Sequence, residues 1–166
     1  MSDTRMLFES LPDSATLRVV PVEGGLAPER EEAVLAVLGE LLAQWRANGV
    51  IRQGAVTLHP SRAFLLLAWQ PTGPDISGCT KDGLTKTLEA FEAQLGTRLL
   101  NAPRMAVEQE GAVLFLTQKE FKERRRSGRI TGSTRVFDHL LNTVGALRAG
   151  GFETTVDASW YGRIPA

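Results

Sequence analysis

Apolar residues recur along the chain with two different periods, and these divide it into helices and strands. Between Pro28 and Asn48, Val34, Leu38, Leu41 and Trp45 fall on one helical face, and Val37 and Leu42 widen the stripe. Pro28 suits the first helical position. Glu29, Glu31 and Glu32 complement the positive end of the helix dipole, and Gly49 follows as a stop signal. A second stripe, Leu84, Leu88, Phe91 and Leu95, predicts a helix from Lys81 to Gly96. A third, short helix is predicted over Thr117 to Ser127. Thr117 and Glu120 have the spacing of a capping box there, and Leu116 and Phe121 that of a hydrophobic staple.

The other period belongs to strands. Leu17 to Val22 is rich in β-branched residues, and Pro21 places its end at a sheet edge. Ala55 to Leu58 and Ala63 to Gln70 are joined by the turn His59-Pro60-Ser61-Arg62. The run AFLLLAWQ is continuously apolar, as expected of a central strand covered on both faces. Met105 to Glu108 and Ala112 to Leu116 form a hairpin about Gln109-Glu110-Gly111. After Arg129 two patterns fit: one helix through Phe137, Leu140, Leu141, Val144 and Leu147, or a strand over Thr134 to Phe137 before a shorter helix. The aromatic end, Val156 to Pro165, reads as tied down.

Strands and helices mix without a long βαβ series. The expected class is therefore α+β: a mainly antiparallel sheet packed against two long amphipathic helices, with a further short capped helix. The chain reads as a single domain over residues 1–166. The alternative division sets apart a minor lobe, 104–166, after the turn Asn101-Ala102-Pro103.

Composition narrows the function classes. The chain has 166 residues and 43% hydrophobic content, enough for a packed core. Its 19 basic and 19 acidic residues balance, which excludes a basic footprint over the whole molecule. No apolar run approaches the ~18–20 residues of a membrane span, and MSDTRMLFESLPD lacks the apolar segment of a secretory signal. One cysteine excludes an intrachain disulfide and a multi-cysteine zinc site. A soluble protein of the reducing cytoplasm is expected.

The common catalytic motifs are missing. There is no GxxxxGK[ST] loop, no GxGxxG after a strand, no HExxH and no GxSxG. His59 and His139 are the only histidines, and their spacing suggests no metal site. No cofactor is expected. Three groups remain as candidates.

The first is Ser77-Gly78-Cys79-Thr80-Lys81-Asp82. With Ser77 as cap, Cys79 enters the first helical turn, where a thiolate is stabilised, and Asp82 opposes it. With Thr80 as cap, Cys79 and Leu84 pair as a hydrophobic staple and the thiol is buried. This second arrangement has the better spacing. Ser77 and Gly78 would admit a ligand close to the backbone. The second group is the basic segment Lys119, Lys122, Arg124, Arg125, Arg126, Arg129 and Arg135, against Glu120 and Glu123 alone. The first fifty residues offset it, with Arg5, Arg18, Arg30 and Arg46 facing a surplus of acids that includes Asp3, Glu9 and Asp13. No aromatic residues interleave with the basic ones to stack on bases. The third is the aromatic set Trp160, Tyr161 and Phe152, which fits either a recognition groove or a pinned terminus; Trp69 reads as core.

Over nearly its whole length the chain resembles a poorly characterised bacterial family often labelled "ABC transporter ATPase". The likeness is carried by Leu11-Pro12-Asp13, Gln44-Trp45 with Gly49, Ser77-Gly78-Cys79 with Asp82, and Phe121-Lys122. It continues in Ser127-Gly128-Arg129-Ile130, Val136-Phe137, Asn142-Thr143 and Ser159-Trp160. Tyr161 stands where members of that family often carry histidine. The resemblance implies no activity, and the transporter label gains nothing from a chain without a nucleotide-binding loop. Val113 to Phe137 is also similar to bacterial modules related to the GYF peptide-binding domains, although the Gly-Tyr-Phe triplet is missing. That likeness implies a binding surface.

Three functional readings follow. A protein- or peptide-binding module fits the missing catalytic groups best. An enzyme or redox-active thiol protein would use Cys79 with Asp82. A weak nucleic-acid or phosphate binder would use the Lys119–Arg135 segment.

Overall fold

A computed structural model describes residues 4–103 and 105–165. Asp3, the Arg5 side chain and the limits 1, 104 and 166 set above for domain and lobe lie outside the described residues. The chain forms β1 (Thr16–Pro21), α1 (Pro28–Ala47), β2 (Ile51–Leu58), β3 (Phe64–Pro71) and α2 (Gly78–Leu95). It continues through β4 (Met105–Gln109), β5 (Ala112–Leu116), α3 (Gln118–Arg126), β6 (Arg135–Phe137), α4 (Val144–Arg148) and β7 (Glu153–Thr155). A turn of 3-10 helix, Trp160–Arg163, follows.

The fold is α+β with antiparallel pairing throughout. The strands make two sheets where one was expected: β1-β3-β2 and β5-β4-β6-β7. Beyond Arg129 the strand and shorter helix are the pattern adopted; β7 was not anticipated. Three-residue strands such as β6 and β7 are too short to show a period of two.

The layers follow from the alternation along β3. Leu65, Leu67 and Trp69 face Val34, Leu38, Leu42 and Trp45 of α1 and Leu84, Leu88 and Phe91 of α2. Trp45 and Trp69 meet edge to face with ring centroids 5.5 Å apart. Phe64, Leu66 and Ala68 point the other way, onto Ala106, Phe115 and Phe137 of the second sheet and Val144 and Leu147 of α4. The far side of that sheet, with Met105, Val107 and Val136, is closed by Phe121, Ile130 and Tyr161. The order of layers is therefore long helices, first sheet, second sheet, then α3 with the C-terminal segment. The helical stripe packs on the apolar strand, with Leu42 buried and Leu41 half-buried; Val37, placed in the stripe by its spacing, is instead exposed.

Side-chain ties join distant pieces. The Arg148 guanidinium donates to the Asp13 carboxylate at 2.7 Å and to the Phe8 carbonyl at 2.6 Å, fixing the N-terminal lead-in. Tyr161 is fully buried. Its hydroxyl accepts from the Ala106 amide at 2.9 Å and donates to the Phe137 carbonyl at 2.8 Å, bridging β4 and β6. Burial pushes its phenol above the ordinary tyrosine range.

Tyr161→Phe keeps the ring and removes that bridge, leaving a buried amide and carbonyl unmatched. The expected loss is about 1–3 kcal/mol of stability by urea denaturation. A variant as stable as the parent would show that the bridge contributes nothing.

Candidate functional site

The first sheet has two edges, β1 and β2, and the chain treats them differently. Val22 N–H donates to the Ala63 carbonyl, so Val20, Arg18 and Thr16 turn their backbone groups to β3. Leu17, Val19 and Pro21 then face outward. The start of that edge is closed: the Leu17 amide donates to the Asn142 carbonyl at 2.9 Å, and the Val144 amide to the Ala15 carbonyl at 3.0 Å. Pro21 has no N–H to offer.

At the other edge, His59 N–H donates to the Phe64 carbonyl at 2.9 Å. The register Thr57–Leu66, Ala55–Ala68 and Gln53–Gln70 therefore turns those residues toward β3. Gly54, Val56 and Leu58 present their amides and carbonyls outward, and among the described residues no other strand pairs with them. Gln53 pins the start of the strand, its side chain donating to the Ser10 carbonyl at 2.7 Å. Arg52 is the only charged residue of β2.

Beside this edge runs a groove of ≈ 520 Å³ between α1 and β2, lined by Gly39, Leu42, Ala43, Arg46, Ala47, Gly54 and Ala55. Small residues keep it open. A Cβ at Gly54 would stand 3.0 Å from Ile51 Cδ1 and 3.2 Å from the Ala68 carbonyl oxygen, so glycine leaves room there for the Ile51 side chain and the β3 backbone, while Leu42 of α1 would sit at an ordinary contact of 3.5 Å. Sequence reading began the strand at Ala55 and missed the site. The glycine within an otherwise strand-like run was the one available signal.

The residues singled out from sequence lie elsewhere. Ser77, not Thr80, caps α2, its hydroxyl accepting from the Thr80 amide at 3.2 Å. Cys79 is therefore not the buried half of a staple; it is exposed in the first turn. Ile76 anchors the helix start instead, because its larger apolar side chain gains more from burial in the core. Gly78 and Asp82 are exposed beside Cys79, and among the described residues no hydrogen bond or ion pair brings a base to its sulfur. A neighbouring groove of ≈ 490 Å³ is walled by Leu17, Trp69, Ile76 and Leu84, but Cys79 does not line it. Lys81, at that groove, pairs with Asp75 at 2.7 Å. Lys81 and the Ile76 amide together hold the Asp75 carboxyl below its usual range.

The basic segment does not converge on one point. Arg124 and Arg129 flank a shallow groove with Gln109 and Glu110. Lys119, Arg126 and Arg129 are solvated, with Lys122 and Arg125 half-buried. Arg135 is drawn off toward Glu108 at 3.4 Å and Glu153 at 4.0 Å. Of the aromatic set, Tyr161 and Phe152 are core residues and not a recognition groove. Trp160 is half-buried and packs on Tyr161 with ring centroids 4.5 Å apart, pinning the terminus. Among the described residues no group of three or more His, Cys, Asp and Glu side chains is placed to hold a metal. No helix among them is long and apolar enough to cross a membrane.

Immediately after β2 lies a second feature that sequence could not show. His59 is buried among Phe64, Phe137 and Phe152. Its Nδ1 accepts from the Ser61 amide at 3.1 Å, which leaves the proton on Nε2 to be donated to Glu153 at 2.6 Å. Glu153 belongs to β7, so this bond ties the β2–β3 turn to the second sheet. Burial lowers the imidazole pKa, and Glu153 only partly offsets the effect.

Comparison of the chain with protein families, curated proteins and solved structures finds no match. Fold and site together define an α+β protein of two stacked antiparallel sheets, with the β2 edge of the first sheet left open.

Two outcomes follow from this geometry. Below about pH 6.5 the unfolded chain takes up a proton that folded His59 resists, so stability falls as pH falls through the ordinary histidine range. Thermal unfolding between pH 7.5 and 5.5 should show this slope, flattened in His59→Gln by at most about 1.4 kcal/mol per pH unit; an unchanged slope would remove His59 as its source. Cys79 should react with iodoacetamide in the native protein about as readily as in urea. Protection until unfolding would restore the buried arrangement.

Proposed function

We propose that the chain is a peptide-binding module that takes an extended segment of another protein as a fourth strand on β2. The observation supporting it is the outward row of backbone groups at Gly54, Val56 and Leu58, on an eight-residue edge strand with a single charge. Edges of that length are usually blunted by charge, proline or cover. Here β1 is covered at its start and ends in proline, and among the described residues β2 has neither cover nor proline. In strand addition, main-chain hydrogen bonds supply affinity, while alternate side chains enter a groove and supply specificity. The space between α1 and β2 is such a groove. The edges of the second sheet are shorter: β7 has three residues, and β5 has five and runs straight into the cap of α3.

A thiol-based activity at Cys79 is a second reading, favoured by the exposure of that side chain at the start of α2. Among the described residues no hydrogen bond ties its sulfur to a base.

Val56→Pro separates strand addition from other modes. The missing N–H is one that points away from β3, so the native ladder survives, as prolines do on edge strands. Random peptides displayed on phage should enrich on the parent chain and fail to bind Val56→Pro, while far-ultraviolet circular dichroism stays unchanged. Enriched peptides that bind both proteins equally, or no enrichment at all, would overturn the proposal.

A further inference from the structure

We infer that the segment received by β2 is acidic: an extended peptide in which aspartate or glutamate alternates with small or apolar residues. The inference rests on the strand-addition reading and adds the chemistry of the partner.

The charge around the edge has one sign. Arg46 lines the groove and Arg52 is exposed on the strand, while no acidic residue lines the groove. Among the described residues neither arginine has an ion-pair partner, and on α1 the positions three and four residues before Arg46 are Ala43 and Leu42. Elsewhere on the surface, among the described residues, some cations are likewise unpaired, Lys119, Arg126 and Arg129 among them, and others are neutralised. Arg62 pairs with Glu31, Lys81 with Asp75, Arg98 with Glu23, Arg135 with Glu108 and Arg148 with Asp13. In a molecule whose charges balance, two unmatched guanidinium groups flanking unpaired backbone donors favour a carboxylate-bearing strand. A second copy of this chain is the poorer occupant, since β2 brings another arginine and no acid. The groove is narrowed by Leu42 and floored by Gly54 and Ala55, so the side chains that enter it beside the acids are small or apolar.

Fluorescence anisotropy with dye-labelled peptides tests this. One probe alternates valine with aspartate, a second valine with lysine, and a third valine with asparagine. The parent chain should prefer the aspartate probe to the asparagine probe by about fivefold at low salt, a margin that shrinks as salt is added. The double variant Arg46→Glu/Arg52→Glu should reverse the order of the aspartate and lysine probes. A control variant, Arg125→Glu/Arg126→Glu, should leave the order as it is. If all three probes bind the parent equally and Val56→Pro abolishes them together, strand addition stands and the acidic partner is wrong. Aspartate binding lost in the Arg125/Arg126 variant alone would move the contact to α3 and overturn the inference. Sedimentation showing dimers that the probes do not dissociate would assign the edge to a second copy. If no probe binds the parent at any salt, the strand-addition reading fails with it.

Discussion

The structure depends on β3 being buried on both faces. Phe64, Leu66 and Ala68 are fixed against the second sheet, Leu65, Leu67 and Trp69 against the long helices. Its backbone is used just as completely: odd-numbered residues bond to β1 and even-numbered ones to β2. A one-residue slip would exchange every side chain between the two cores, placing Phe64 under α1 and Trp69 against the second sheet. Register is therefore held by packing on both sides, and the positions of the two edge strands follow from it.

A three-stranded sheet has edges, and how each is managed separates structure from function. At the start of β1 the segment Asn142–Val144 supplies partners for Ala15 and Leu17, and Arg148 clamps the lead-in before it. The same segment thus closes the start of an edge and joins the two sheets. Among the described residues nothing equivalent is placed over β2. Instead its two ends are anchored, by Gln53 to Ser10 at one end and by the His59–Glu153 bond just beyond the other. A strand held at both ends with its flank bare is preorganised for a fourth strand, because little of its own freedom has to be lost on binding.

Much of this was legible in the residues. The face of α1, the doubly buried β3 and the capping box of α3 were each announced by a local pattern, and each pattern agrees with the tertiary environment that holds it. Local reasoning failed where two local solutions competed. Ser77 and Thr80 both suit a cap, and the staple spacing of Cys79 and Leu84 favoured the wrong one. The outcome was decided by Ile76, whose burial in the core sets where the helix begins. The second sheet was hidden because β6 and β7 have three residues each. The His59–Glu153 tie was hidden because 94 residues separate its partners. The candidate site was hidden for a further reason: it consists of backbone groups and small side chains, and carries almost no side-chain chemistry to mark it.

Amide hydrogen exchange along β2, read residue by residue, tests the open edge most directly. The account predicts alternation in the free protein: Gln53, Ala55 and Thr57 strongly protected by β3, and Gly54, Val56 and Leu58 exchanging close to unprotected rates. Uniform protection along the strand would mean that something already covers the edge, and would contradict the account.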